Sequence, residues 1–299
     1  MVPTRNRLAF LTQALRSATM QREVDLEVVV VDDGSVSGPG PLVAGLGDQR
    51  VRLVTHRRSL GVSAARNSGI ATARGEWVAL LDDDDIWSPD KLRLQLAAAR
   101  ADRRAWAYAG DVEVDEALRI LDGAPPPPPA AVMAGLRRHN AVPSGCSNVL
   151  VAAAALRRVG PFDPLLANQE DWDMWIRLAG EGPPACVPEP LVAYRVHPGN
   201  ASLDVGRMLA ELGLVARRHG IAADRAAHRR WAAWIELGRG RRGRAVRHYG
   251  AAVAAGDLPS AGRAAIALVA PRLARRRRTD PDRDWVGRAK RWLDELPAP

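Results

Sequence analysis

Two short apolar runs that end directly in acidic residues constrain the fold of this chain most strongly. Residues 25–35 read DLEVVVVDDGS, and residues 76–85 read EWVALLDDDD. Runs of this length, rich in valine or leucine and bounded by acids or glycine, predict buried strands. Apolar residues recur at helical spacing between and after them, in 61–75 and 88–101. Strands that alternate with helices in this way predict an α/β fold with a parallel central sheet.

Acidic side chains gather at the end of each predicted strand. Asp32 and Asp33 follow the first strand, and four consecutive aspartates, Asp82 to Asp85, follow the second. Neighbouring carboxylates repel, so each resists ionisation unless a cation or hydrogen-bond donors lie beside it. In open α/β sheets, ligands bind outside the carboxyl ends of the strands, which places both clusters at one pocket. A solvated turn or a helix-capping run is the structural alternative for either cluster alone.

A divalent cation would explain the acidic run. No glycine-rich phosphate loop follows either predicted strand. Carboxylates do not bind phosphate directly, but a cation can bridge the two groups. Sites for Mg²⁺ commonly combine one or two carboxylates with the phosphate oxygens of a substrate. The acidic run therefore predicts a site for Mn²⁺ or Mg²⁺ that binds a phosphorylated ligand.

Six segments of the chain occur in the order in which they occur in a known enzyme family. They are VPTRNR, EVVVVDDGS, GVSAARNSGI, GEWVALLDDDD, VGPFDPLLANQEDWDMWIRLA and YRVHPGN. Over residues 2–200 the chain resembles the inverting glycosyltransferases of family 2. The resemblance implies a Rossmann-like GT-A fold over 1–204, with a mostly parallel central sheet flanked by helices, and an α-helical C-terminal region over 205–299. It also implies a metal-dependent transfer of a sugar from a nucleotide-diphosphate sugar to an acceptor hydroxyl.

The resemblance also implies roles for individual side chains. Asp171, next to Glu170 at the start of a predicted helix, would be the general base that takes the acceptor proton. Asp84 and His197 would hold the cation, and Asp82 would lie near the ribose. The residues implied for the nucleotide-sugar pocket are Pro3, Thr4, Asn6, Asp32, Asp33, Arg66, Asp82 and Asp83. Those implied near the acceptor or the sugar are Asp85, Cys146 and Trp172.

Most of these side chains also have a structural interpretation. Acids at a helix N-terminus are favoured by the helix dipole, which would account for Glu170 and Asp171 without catalysis. Trp172 and Trp175 are three residues apart on a predicted helix, a spacing that favours core packing. Simple packing, a solvated helix position and an ordinary loop position are the corresponding alternatives for Cys146, Arg66 and His197.

The basic residues are unevenly distributed. The net charge is +9, with 43 Lys and Arg against 34 Asp and Glu. Residues 1–200 contain 22 basic and 24 acidic side chains, whereas residues 201–299 contain 21 and 10. The basic last third includes four arginines at 275–278. Its Ala- and Arg-rich sequence predicts helices, two of which form a hairpin at 231–256. Such a surface fits an anionic membrane or an acidic partner, and the helices are a candidate homodimer interface.

Composition narrows the expected compartment and partners. The chain has only two cysteines, Cys146 and Cys186, which excludes a disulfide framework and favours a reducing compartment. No apolar run reaches the roughly 20 residues that a membrane-spanning helix needs. We therefore expect a cytoplasmic protein, peripheral at most to the inner face of the membrane. The tail lacks the interleaved aromatic residues of a nucleic-acid platform, so nucleic acid is not an expected partner.

Two other functions remain open at this point. A GT-A-like nucleotidyltransferase would make a nucleotide sugar from a triphosphate, but it should carry a glycine-rich, basic N-terminal signature, which this chain lacks. A catalytically degenerate binding protein would keep the fold and use its basic tail for recruitment. The presence of every acid that catalysis needs is against the second hypothesis.

The segment before PTRNR is shorter than the resemblance implies. Members of the family open with an apolar strand, which is reduced here to Met1 and Val2. A central strand of a sheet contributes strongly to stability. We therefore expect the natural start to lie upstream, and we expect restoration of the upstream codons to raise the melting temperature.

Overall fold

The computed structural model describes residues 1–271 and 282–296. Contacts divide these residues into two units, of which the first contains 1–136, 140–197 and the segment from 282 onward. The second contains 137–139 and the described residues from 198 to 271. The division expected from the sequence differs, because it places all of 205–299 in one helical region. The four arginines at 275–278 lie outside the described residues.

A three-stranded parallel sheet opens the first unit. Its strands are β1 (Val2–Thr4), β2 (Val28–Asp32) and β3 (Val51–Thr55), in the order β1-β2-β3. The register pairs Thr4 with Asp32, so both polar side chains lie at the same carboxyl edge. All five residues of β2 are buried, as its continuous apolar run predicts. The helices of this part are α1 (Leu8–Thr19), α2 (Gly40–Gly45) and α3 (Val62–Thr72).

A second, six-stranded sheet contains the remaining strands of this unit. They are β4 (Trp77–Ala79), β5 (Ile86–Trp87), β6 (Trp106–Val114), β7 (Ile120–Ala124), β8 (Leu150–Ala152) and β9 (Ala185–Arg195). Their order is β4-β8-β6-β9-β5, with β7 also paired to β6. Only the β6–β9 pair is parallel, so the expected mostly parallel arrangement holds for the first sheet and not for this one. The short link from β6 to β7 permits only an antiparallel pair, because parallel strands need a longer crossover.

Four helices flank this second sheet. They are α4 (Lys91–Ala101), α5 (Pro129–Gly135), α6 (Ala153–Val159) and α7 (Glu170–Ala179). The start of α5 at a proline fits the preference of proline for the first helical turn. Helix α3 begins after Gly61, so Ser63 lies inside the helix rather than at its N-cap, and its hydroxyl donates to Leu166 O at 2.6 Å.

The second unit is helical, as predicted. It contains α8 (Val205–His219), α9 (Arg225–Gly238), α10 (Arg242–Ala254) and α11 (Ser260–Val269). The predicted hairpin is formed by α9 and α10, which share a small core around Ala233, Ala245 and Tyr249. Within residues 1–271 and 282–296, no helix has both the length and the apolar character that crossing a membrane requires.

The last helix packs on the sheet of the first unit. Helix α12 (Arg283–Leu293) buries Trp285 and Trp292, and Trp285 Nε1 donates to Asp111 O at 2.8 Å. Gly110 on β6 makes room for the indole ring, because a Cβ at this position would lie 2.1 Å from Trp285 Cζ2. Burial of these two tryptophans explains why α12 belongs to the first unit rather than to the helical one.

The packing of Trp285 on Gly110 generates a prediction about stability. Gly110→Ala drives a methyl group into the indole ring, and overpacking of this kind lowers the free energy of unfolding by about 1–3 kcal/mol. Trp285→Ala leaves a cavity and lowers it by about 3–5 kcal/mol. In the double variant the methyl group fills part of that cavity, so the loss should be smaller than the sum of the two. Urea unfolding followed by circular dichroism measures all three values.

Gly45→Ala is the matched control for this cycle. Gly45 lies in α2 of the same unit, and a Cβ there would meet no atom within 4 Å. We expect this control to leave stability unchanged or to raise it by up to about 1 kcal/mol. Additive losses in the Gly110→Ala and Trp285→Ala pair would show that the two residues do not pack together.

Candidate active site

The four consecutive aspartates form a tight turn between β4 and β5. The backbone N–H of Asp85 donates to Asp82 O at 3.2 Å, which closes the turn. The four carboxylates then diverge, and each has its own set of partners. This arrangement keeps neighbouring charges apart and gives each a donor, as the repulsion between carboxylates requires.

Arg66 connects the acidic turn to the start of α7. Its guanidinium donates from Nη2 to Asp82 Oδ1 and from Nη1 to Glu170 Oε1, each at 2.6 Å. The Arg66 side chain is only 4% exposed and lies over the ring of Phe162. Two buried atoms, Arg66 Nε and Glu170 Oε2, have no hydrogen-bond partner among the described residues. Asp82, Glu170 and Arg66 are therefore brought together as the sequence predicts, with two polar atoms left for a ligand.

Asp83 is held from the first sheet. Thr4, at the end of β1, donates its hydroxyl to Asp83 Oδ2 at 2.7 Å, and Arg7 Nη1 lies 3.3 Å from Oδ1. Burial and the charge of Asp84 raise the pKa of Asp83 to about 7, against the opposing effect of Thr4 and Arg7. Two segments that are 79 residues apart in sequence thus meet at one carboxylate.

Asp84 lies between a guanidinium and an imidazole. Arg7 Nη1 donates to Asp84 Oδ2 at 2.7 Å, and His197 Nε2 lies 3.0 Å from the same oxygen. His197 is 7% exposed, and its ring packs against Phe10 with the centroids 4.8 Å apart. The two residues predicted to hold a cation, Asp84 and His197, are therefore adjacent.

Asp85 lies inside the protein and holds the turn through its hydrogen bonds. It is fully buried, and its two oxygens accept from the Ser147 hydroxyl at 2.5 Å and from Arg195 N at 2.9 Å. Arg195 also donates from Nε to the carbonyl of Asp84 at 2.7 Å. The predicted role of Asp85 near the acceptor is therefore not supported by its position, because both of its oxygens are committed to the protein.

Asp32 and Asp33, at the end of β2, accept hydrogen bonds that hold the neighbouring loops in place. Asp33 accepts from the His56 ring, the Ser59 hydroxyl and the N–H groups of Leu60 and Gly61, all at 2.7–2.9 Å. Burial alone would raise the pKa of Asp33, but these hydrogen bonds lower it below its usual value. All four acceptor positions of this carboxylate are used, so a nucleobase that binds Asp33 has to displace one of these donors.

The neighbouring predicted pocket residues also lie at this edge. Asp32 is buried and accepts from Ser35 N at 3.0 Å. Asn6, in a left-handed conformation with φ 57°, accepts from Val36 N at 2.8 Å. Pro3 is buried within β1, so it contributes backbone and ring surface rather than a polar group. Asn6 thereby ties the loop after β1 to the loop after β2.

Asp171 occupies the first turn of α7. Asn140 Nδ2 donates to Asp171 Oδ2 at 2.7 Å, and Trp172 N donates to Oδ1 at 2.7 Å. Gly145, with φ 51°, lies against this carboxylate, and a Cβ there would approach Oδ2 to 2.8 Å. Burial and the charge of Glu170 raise the pKa of Asp171 to about 7. A carboxylate with a pKa near neutrality is suited to general base catalysis.

Two residues predicted near the acceptor are packed in the core. Trp172 is fully buried and donates from Nε1 to Leu136 O at 2.9 Å, so its ring cannot stack on a sugar. This outcome matches the core-packing alternative. Cys146 is 2% exposed, and burial raises the pKa of its thiol well above the usual value. An unionised, buried thiol is a poor nucleophile and a poor ligand.

The side chains at the turn offer few ligands to a cation. Among residues 1–271 and 282–296, no group of three or more His, Cys, Asp or Glu side chains could hold a metal ion by itself. Asp84 and His197 supply one carboxylate oxygen and one imidazole nitrogen, which Mn²⁺ accepts. A cation bound by two protein ligands completes its shell with water and substrate phosphate oxygens, so the donor set fits a cation that binds together with a diphosphate.

Several contributing residues were not predicted, among them Arg7, Arg195, Asn140 and Ser147. Arg7 and Arg195 lie inside the segments VPTRNR and YRVHPGN, so their positions in those segments were the available signal. Asn140 and Ser147 lie in a connecting region without a recognisable pattern. Their contacts with Asp171 and Asp85 span 31 and 62 residues, which no local rule predicts.

Comparisons with known proteins agree with this geometry. Residues 1–122 match the family described as glycosyl transferase family 2. The succinoglycan biosynthesis protein ExoO of Rhizobium meliloti (strain 1021) is 47% identical over 91 residues, which are 30% of this chain and 26% of ExoO. This chain therefore spans about a quarter of the length of that relative.

A second relative covers more of the chain. WfaP of Escherichia coli, named a UDP-Glc:alpha-D-GlcNAc-diphosphoundecaprenol beta-1,3-glucosyltransferase, is 24% identical over 212 residues, 70% of this chain and 81% of WfaP.

A solved structure shows the same fold. S. aureus TarS 1–349 in complex with UDP-GlcNAc matches with a TM-score of 0.61 at 15% identity, over 92% of this chain and 88% of that one. The likeness confirms the predicted α/β fold of the GT-A class with a helical C-terminal part. Residues 1–122, which carry both acidic clusters, are therefore similar to glycosyl transferase family 2.

Proposed function

We propose that this protein transfers a sugar from a nucleotide-diphosphate sugar to an acceptor hydroxyl, with inversion at the anomeric carbon. The contact that supports this proposal most directly is the double ion pair of Arg66 with Asp82 and Glu170. It links the acidic turn, which would bind the donor, to Glu170. Glu170 is next to Asp171, and Asp171 would accept the proton of the acceptor hydroxyl. Donor and base are thereby held in one site, as a direct displacement requires.

The displacement needs one base and one leaving group. The acceptor oxygen forms a bond to the anomeric carbon while the bond from that carbon to the diphosphate oxygen breaks. Asp171 takes the hydroxyl proton, and the nucleoside diphosphate leaves with the electron pair. The hydrogen bonds from Asn140 and from Trp172 N hold the Asp171 carboxylate in one orientation for this step.

A divalent cation would be held by Asp84 and His197. Such a cation neutralises the negative charge that develops on a diphosphate leaving group. Asp82 and Asp83 lie beside these two residues, and the unpartnered Arg66 Nε is a donor for the sugar or the phosphates. Asp33, Thr4 and Asp32 form the wall of the pocket at the carboxyl edge of the first sheet.

The acceptor is proposed to be a hydroxyl of a glycan, a lipid-linked sugar or a natural product. A lipid-linked acceptor is favoured by the relative WfaP, whose name specifies a diphosphoundecaprenol-linked sugar. The arginine-rich second unit would then meet an anionic membrane surface on the cytoplasmic side. Pairing of two copies through these helices remains a prediction of the sequence.

The alternative functions make different demands on this site. A nucleotidyltransferase needs a triphosphate cradle, whereas the relative WfaP is named a glucosyltransferase. A degenerate binding protein would not need an oriented base. The partners of Asp171 favour an enzyme over a binder, because two donors and a close glycine hold one carboxylate that has a pKa of about 7.

Nucleotide binding tests the proposed donor. We expect one of UDP, GDP, TDP and CMP to raise the melting temperature, and only with Mn²⁺ or Mg²⁺ present. A ligand at 100 times its dissociation constant stabilises the native state by about 2.7 kcal/mol, which a thermal-shift assay detects readily. Calorimetry on the same panel gives the affinity. Absence of binding by all four, with either metal, would contradict the proposed donor class.

Asp171→Asn separates catalysis from binding. Loss of the base should lower the turnover number about 10²- to 10⁴-fold, while the affinity for the nucleoside diphosphate stays unchanged because the amide keeps the shape of the side chain. Transfer is measured with the donor found above, and affinity by calorimetry. Glu76→Gln, at an 80% exposed side chain, is the control for loss of one negative charge. Full turnover in Asp171→Asn would remove Asp171 from the role of base.

The pH dependence of transfer tests the environment of Asp171. The base must be deprotonated, so kcat/KM should fall as the pH drops through about 7, the raised pKa of Asp171. Asn140→Ala removes a donor that favours the charged carboxylate, so the pKa should rise further and the acid limb should move to higher pH by about one unit. An unchanged limb in Asn140→Ala, at lowered overall rate, would indicate that Asn140 serves only the fold.

A further inference from the structure

Arg7 is a charged residue of the site to which neither the motifs nor the proposed chemistry gives a role. It is the residue that precedes α1, and its side chain is 32% exposed. Its Nη1 lies 2.7 Å from Asp84 Oδ2 and 3.3 Å from Asp83 Oδ1. A guanidinium therefore lies against the carboxylate that is proposed to bind the cation.

Arg7 and a cation compete for the same oxygen. Asp84 Oδ2 receives both Arg7 Nη1 at 2.7 Å and His197 Nε2 at 3.0 Å. A cation held by Asp84 and His197 would lie next to this oxygen, where the guanidinium is 2.7 Å away. Two positive groups at one oxygen repel, so the guanidinium must move away when the cation binds. The exposed third of its side chain leaves Arg7 room to do so on the solvent side.

A displaced Arg7 needs a new anionic partner. Asp83, its second carboxylate, already accepts from the Thr4 hydroxyl at 2.7 Å and lies 3.3 Å from Arg7 Nη1, so it is the weaker of the two partners. The diphosphate of the donor would arrive with the cation. An arginine fork matches phosphate oxygens in a bidentate manner, which makes a diphosphate a better partner than the carboxylate that Arg7 leaves.

We propose that Arg7 couples the binding of the divalent cation to the binding of the donor diphosphate. Arg7 stays paired with Asp84 until a cation takes the place of Arg7, and Arg7 then pairs with the diphosphate. The cation alone binds weakly, because it has to displace the Arg7 guanidinium from Asp84 Oδ2. The cation and the nucleoside diphosphate together bind tightly. The cation replaces Arg7 on Asp84, and the diphosphate gives the displaced guanidinium an anionic partner. This inference rests on the proposed function, since it takes the cation and the diphosphate as ligands.

Binding of Mn²⁺ with and without UDP tests the coupling. The free Mn²⁺ signal in electron paramagnetic resonance gives both dissociation constants, after correction for the Mn²⁺–UDP complex in solution. Their ratio is the coupling factor. In Arg7→Gln we expect Mn²⁺ alone to bind roughly 5- to 10-fold more tightly and the coupling factor to fall by at least the same amount, within the usual range of couplings between sites. No activity measurement is needed.

Two further variants make the result specific. Arg5→Gln removes the same charge from an exposed residue two positions away and should leave both constants unchanged. Arg7→Lys keeps a positive charge beside Asp83 and Asp84, in case the glutamine variant does not fold, and replaces the fork by a point charge. Its coupling factor should fall below that of the natural chain.

The outcomes are distinguishable. The coupling is contradicted if Arg7→Gln binds Mn²⁺ alone no more tightly than the natural chain, or if its coupling factor is unchanged. An equal effect of Arg5→Gln would replace the coupling by a general effect of net charge and so overturn it. If the natural chain binds UDP but never Mn²⁺, the cation is removed from the proposed function, and this inference falls with it. If it binds neither, the proposed donor itself is wrong.

Discussion

The buried guanidinium of Arg66 is the interaction on which the geometry of the site depends. It forms ion pairs with Asp82 at the end of β4 and with Glu170 at the start of α7, both at 2.6 Å. Removal of one member of a buried ionic group leaves the others uncompensated, which is strongly destabilising. The relative position of the acidic turn and of Asp171 therefore depends on the buried Arg66 side chain.

The four consecutive aspartates do not act as one charged patch. Asp82 belongs to Arg66, Asp83 to Thr4, and Asp84 to Arg7 and His197, while Asp85 is buried on Ser147 and the backbone of β9. The four carboxylates thus differ in their partners, although Arg7 contacts both Asp83 and Asp84. The tight turn makes this divergence possible, because successive side chains leave it in different directions. Four aspartates in a row would repel one another if no donors lay beside them. In the fold, the turn is where five segments of the chain meet: the turn itself and the segments around Thr4, Arg66, Ser147 and Arg195.

Much of the fold followed from local patterns. The buried strand β2, the helices α3, α4 and α7 and the helical hairpin of the second unit lie close to where the sequence predicts them. The order of strands in the second sheet and its antiparallel pairs did not follow, because pairing depends on which segments meet in space. The membership of α12 in the first unit also escaped prediction, since it depends on Gly110 and Gly123 accepting the ring of Trp285.

By itself, the sequence determined the α/β class, the placement of acids after strands and the similarity of residues 1–122 to a family, because these follow from periodicity and from short contiguous motifs. Only the tertiary structure decided which carboxylates lie at the candidate site and that Trp172 belongs to the core. It also decided that Asn140 donates to Asp171 and that Arg7 donates to Asp84. The physical reason is that the state of a charged or aromatic side chain depends on burial and on donors within about 3 Å. Those donors come from residues far away in the chain, so their arrival is a property of the packed fold.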